Sequence, residues 1–129
     1  MLLQTYFNRI KAEVHRYAAT RFVLDSKINF DLRAGEQGYL SGTIQFSNGS
    51  ELHFKEYVDV LNQKVDKLTY SYHFQDVGNR LIFRYDNAAH KPRLPFVDHK
   101  HLHNQIIASP APQLDEVLAE IFVLNGWTQ

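Results

Sequence analysis

From Ser26 to Tyr85 apolar and polar residues alternate with a period of two, and this repetition commits the middle of the chain to a sheet. Ile28, Phe30 and Leu32 alternate with Asn29 and Asp31. After Gly35 and Gly38, the pattern resumes at Leu40, Gly42, Ile44 and Phe46. Asn48-Gly49 predicts a hairpin with a type I′ turn, which needs positive φ at both central residues. Leu52, Phe54, Val58 and Val60 form the returning strand, with a slip of parity near Glu56-Tyr57 that reads as a bulge. Leu68, Tyr70, Tyr72 and Phe74 then share one face, with Thr69, Ser71 and His73 on the other. A turn at Asp76-Val77-Gly78-Asn79 leads to a fifth strand through Leu81, Phe83 and Tyr85. Short links between consecutive strands predict an antiparallel meander of about five strands.

The flanks carry a different period. Leu3, Tyr6, Phe7, Ile10, Val14 and Tyr17 recur at three- and four-residue steps, which predicts a helix over 3–18. A second helix is expected at Leu114, Val117, Leu118 and Ile121, with Asp115 and Glu116 in its first turn and Asn125-Gly126 as its stop. Between sheet and last helix, residues 86–112 hold all four prolines and four of the seven histidines. So long a stretch without periodicity reads as an ordered functional loop, anchored by Leu94, Phe96 and Leu102. The fold class is α+β: helix, about five strands, loop, helix, in one domain over 1–129.

Composition narrows the chemistry. With 129 residues, 14 basic and 14 acidic side chains and 44% hydrophobic content, the chain suits a single globular core. The absence of cysteine excludes disulfides, thiolate metal sites and a cysteine nucleophile. No apolar run reaches the ~18 residues of a membrane span, and the first residues lack a signal-peptide layout, so a cytoplasmic protein without membrane contact is expected. Although the net charge is zero, the stretch from Arg80 to Asn104 is locally cationic. There is no GxGxxG or GxxxxGK[ST] loop, no GxSxG elbow and no HExxH helix.

Arg84-Tyr85-Asp86-Asn87-Ala88-Ala89-His90 is the most unusual local run. On a strand, Arg84 and Asp86 project to the face opposite Phe83 and Tyr85, and His73 reaches that face if the neighbouring register allows. A guanidinium, a carboxylate and imidazoles gathered there suit attack on a phosphodiester: the imidazole moves protons and the guanidinium grips the phosphate. The same spacing also fits a plain ion pair on a solvated face. The second constellation is His99-Lys100-His101-Leu102-His103, whose imidazoles alternate along an extended chain. It can seat a first-row metal only if the chain curves, and acid–base or phosphate-contacting histidines are the favoured reading, with no metal and no cofactor. Tyr70, Tyr72 and Phe74 are expected to be buried rather than to stack bases, and His15 and His53 to stand apart at the surface.

Phe54-Lys55-Glu56-Tyr57-Val58, Tyr70-Ser71-Tyr72-His73-Phe74-Gln75-Asp76, the Arg84–His90 run and His99-Lys100-His101 together resemble the TumE family over about residues 38–122. These are small toxins of bacterial toxin–antitoxin modules, usually encoded beside a helix-turn-helix antitoxin. Two departures stand out: Ala89-His90-Lys91 replaces a Pro-His-His run, and Asp98-His99 replaces paired histidines. His90, His99 and His101 remain as the carried-over set. The resemblance implies toxicity and an antitoxin partner. Joined to the polar face, it leads to a metal-independent ribonuclease with His73, Arg84, Asp86 and His90 as catalytic residues. Asn87, Lys91, His99, Lys100 and His101 would contact the RNA. The alternatives are a non-catalytic module that sequesters a partner protein, or a metal-dependent hydrolase built on the histidine-rich loop.

Overall fold

The computed structural model describes residues 2–89 and 93–128. Helix α1 (Leu2–Ala18) precedes strands β1 (Val23–Arg33), β2 (Gln37–Phe46), β3 (Glu51–Leu61), β4 (Lys64–Gln75) and β5 (Leu81–Asp86). Two short strands, β6 (His99–His101) and β7 (Ile106–Ala108), follow before helix α2 (Leu114–Leu124). All seven strands form one antiparallel sheet in sequence order. The α+β class holds, but the sheet has seven strands rather than five. The extra pair comes from the supposed loop, where His99–His101 finds ladder partners along Arg84–Asp86. Three-residue strands are too short to show a periodicity, so the alternation rule passes over them. None of the described helices is long and apolar enough to cross a membrane.

Both helices lie on one face of the sheet. Leu3, Phe7, Ile10 and Val14 of α1 and Leu114, Leu118 and Ile121 of α2 close over Leu40, Ile44, Phe46, Leu52, Phe74 and Phe83. Tyr72 and Phe74 are buried there, as their parity with the core predicts. Gly38 permits the close approach of α1: a Cβ at this position would stand 2.6 Å from the Phe7 ring. Trp127, beyond α2, stacks on Phe22 with ring centroids 5.1 Å apart and seals the far end against Phe46 and Phe122.

Two turn expectations change. At Asn48-Gly49 a hairpin does form, but only Gly49 has positive φ, so the turn is not type I′. The turn with positive φ at both central residues is Asn62-Gln63, at 51° and 62°, joining β3 to β4. Glutamine does not advertise that conformation; the ladder closing at Leu61 and Lys64 on either side imposes it. Nor does β3 slip at Glu56: Leu52, Phe54, Glu56 and Val58 all stay on the buried parity. The bulge lies opposite, in β4, where Leu68 is skipped between Thr69 and Lys67 and turns out to solvent.

Candidate functional site

The face of the sheet away from the helices is organised by register. Thr43, His53, His73, Arg84 and His101 stand in one row across β2 to β6. Ser41, Lys55, Ser71, Asp86 and His99 stand in the next. Directly opposed residues point to the same side, so residues distant in sequence become neighbours about 5 Å apart. Phe83 and Tyr85 take the core parity of β5, which leaves Arg84 and Asp86 on the face opposite the helices. A shallow depression of about 250 Å³ opens there, lined by Ser41, His53, Lys55, Ser71, His73 and Arg84 among others.

Asp86 is the centre of the cluster. Its side chain is only 4% exposed, and its oxygens meet a guanidinium, two imidazoles and a backbone N–H. Oδ1 lies 2.5 Å from Nε2 of His99 and accepts a hydrogen bond from the Ala88 backbone N–H at 3.3 Å. Oδ2 faces Nε of Arg84 at 2.8 Å and Nε2 of His101 at 3.4 Å. His99 is fixed from its other side, because Nδ1 donates to the Val97 carbonyl at 2.8 Å. A carbonyl only accepts, so the proton of that bond belongs to Nδ1, and Nε2 is the nitrogen turned to the carboxylate. The arrangement is graded by access: His99 is 1% exposed, His101 19% and Arg84 39%. The last two form the solvent side of the site.

His73 flanks Arg84 from β4 and shares a contact between Nε2 and the Gln75 side-chain oxygen at 3.1 Å. Partial burial, then the Arg84 charge, hold its imidazole below the usual 6.5 in spite of that contact. It is therefore neutral at pH 7 and able to accept a proton. His53, expected to stand apart, instead joins the same row with its ring 6.4 Å from that of His73. The strand pairing that brings them together is non-local, and no spacing in the sequence announces it.

The remaining expected residues divide. Asn87 bridges to β4 with its amide, donating to the Leu68 carbonyl at 3.0 Å and accepting from the Tyr70 N–H at 3.1 Å. It continues the ladder across the bulge. Lys100 sits on the opposite parity from His99 and His101, on the helix side, where it donates to Glu120 at 2.7 Å. Burial alone would lower its ammonium, but Glu120 and Tyr85 outweigh that and hold it above the usual value. His90 and Lys91 lie outside the described residues.

A second carboxylate, Glu56, is buried on the helix side of the sheet. It is fully buried beneath α1, with the Tyr6 hydroxyl donating to Oε1 and the Tyr72 hydroxyl to Oε2 at 2.5 Å. Lys67 donates to the Tyr72 oxygen at 2.6 Å and to the Pro112 carbonyl at 2.5 Å. Burial, reinforced by the adjacent Glu56 charge, pushes both phenols far above their usual range, and burial lowers the Lys67 ammonium. This network ties α1, β3, β4 and the approach to α2 together. Its one sequence signal is a glutamate on the buried parity of a strand.

A family model described as Toxin TumE matches residues 11–124. No curated protein and no solved structure matches the chain.

Proposed function

The chain belongs to the TumE toxin family, toxins of toxin–antitoxin modules with an antitoxin as partner, and from that premise we propose that it acts on RNA as a metal-independent ribonuclease. The observation that supports this reading is the Asp86 carboxylate, held between a guanidinium and two imidazoles on the sheet face away from the helices, with Arg84 and His101 reaching solvent. Arg84 stands between His73 and His101 in one row, so a phosphate gripped by its guanidinium has an imidazole on either side. Neutral His73 takes the proton from the ribose 2′-hydroxyl as that oxygen attacks phosphorus. His101, in its protonated form against Asp86, gives a proton to the departing 5′-oxygen. The products are a 2′,3′-cyclic phosphate and a free 5′-hydroxyl. His99 acts as a positioning residue that fixes Asp86, while Lys55 in the Asp86 row and Lys27, paired with Thr43 at the end of the Arg84 row, extend the positive surface. The nucleophile is the substrate's own hydroxyl, so no metal-bound water is needed, and DNA, which lacks it, is not cut.

The partner in this reading is a helix-turn-helix antitoxin and the site of action is the cytoplasm. The test is incubation of the purified protein at low salt, in the presence of a chelator, with an RNA and a DNA of the same sequence. RNA cut to cyclic-phosphate ends with DNA untouched is expected. RNA left intact overturns the reading. Growth arrest that survives replacement of His73 and His101 by alanine then identifies sequestration of a partner protein as the toxic act.

A further inference from the structure

We propose that Asp86, His99 and His101 form a binding site for a divalent first-row transition ion such as zinc. Among the described residues these three bring their ligand atoms within 4.8 Å of one another. Two imidazoles and one carboxylate are a donor set of the borderline kind that zinc, nickel or cobalt prefers over magnesium or calcium. The ligands come from adjacent, directly paired strands, so a rigid ladder holds their backbones and only side-chain torsions adjust. His99 already has the orientation of a metal-bound histidine, with Nδ1–H committed to the Val97 carbonyl and Nε2 turned inward.

The fit requires small side-chain movements. Ligand atoms around a tetrahedral zinc ion stand about 3.3 Å apart, given bonds of ~2.0–2.1 Å. The Oδ1 to His99 contact of 2.5 Å must open by about 0.8 Å, and the other ligand atoms, all within 4.8 Å of one another, close toward that spacing. Oδ1 and the two Nε2 atoms then supply three ligands, with Oδ2 left to Arg84 and the fourth position facing solvent on the His101 side. Combined with the proposed ribonuclease reading, occupancy takes Asp86 and His101 out of proton transfer, so the ion acts as an inhibitor.

The binding test does not depend on activity. Metal-stripped full-length protein is titrated with Zn²⁺ against a chromophoric chelator, and with Co²⁺ while its visible absorption is followed. One zinc per chain and the intense bands of a low-coordinate cobalt site are expected. Asp86→Asn and His101→Ala, each checked for folding by circular dichroism, weaken binding at least about tenfold, whereas His53→Ala does not. Failure to bind zinc, or equal affinity in the wild type and in folded His101→Ala, overturns the proposal. In RNA cleavage assays, inhibition by zinc that chelator reverses is expected if both readings hold. Zinc binding without any cleavage leaves the metal site standing and removes the ribonuclease.

Discussion

The two faces of the sheet each bury a carboxylate, and they treat it differently. Glu56, on the helix side, is fully buried and meets two phenols whose protons burial makes harder to remove. Asp86, on the other side, is nearly as buried but meets two imidazoles and a guanidinium, of which Arg84 and His101 reach solvent. Phenols far above their usual range hold their protons in place. One carboxylate therefore serves as a structural tie, and the other is surrounded by groups suited to moving protons and holding phosphate. Burial of a charge does not by itself mark a functional site; the chemistry of its partners and their access to solvent decide.

Substitutions on each face can break this contrast. The largest effect is expected for Arg84→Ala, which should slow RNA cleavage by about 10²- to 10³-fold, while urea unfolding followed by circular dichroism shifts by no more than ~1 kcal/mol. A large stability loss with unaltered cleavage would reverse the assignment of the two faces. Glu56→Gln should do the opposite, costing about 3 kcal/mol of stability because its phenol and ammonium partners are left buried without the charge they surround. Cleavage per folded molecule should stay unchanged. Tyr6→Phe should cost about 1–2 kcal/mol by the same measurement, as one donor to Glu56 is lost.

Two pH experiments sharpen the comparison. The Tyr6 and Tyr72 phenols are raised in the folded state, so their contribution to stability is complete below pH 10 and is lost as pH rises above it. Ultraviolet absorption should show these tyrosinates emerging only together with alkaline unfolding. His73 behaves inversely: its folded imidazole is held below 6.5, so the unfolded chain takes up the proton first and stability falls as pH drops below 6.5. The acid limb of the cleavage profile should likewise lie below pH 6.5, and His73→Gln should remove it along with most of the activity. The smallest effect is expected for Lys100→Ala. It should cost under ~1 kcal/mol and leave the salt dependence of RNA binding unchanged, because its charge already neutralises Glu120 on the far face.

Much of this arrangement is legible in the sequence. The period of two places Arg84 and Asp86 opposite Phe83 and Tyr85, and the helical stripe from Leu3 to Val14 names the buried side of α1. What is not legible depends on pairing between distant segments. His99 and His101 are visible as a cluster, but their meeting with Asp86 requires the β5–β6 register, and neither strand carries a turn signal that sets it. Lys100 illustrates the converse: sequence proximity places it between two site histidines, yet alternation sends it through to Glu120. Glu56 sits in the middle of a regular strand, and only the positions of Tyr6 and Tyr72 explain why a charge is tolerated there.

The sole tryptophan of the chain packs at the seam where β1, β2 and α2 converge, against Phe22, Phe46 and Phe122. Intrinsic fluorescence excited at the indole therefore reports the closing of the helical layer and stays largely silent about events on the far surface. Nature has fitted the molecule with an optical gauge of its scaffold, and a bound nucleotide or ion will need a label introduced elsewhere to be seen by emission.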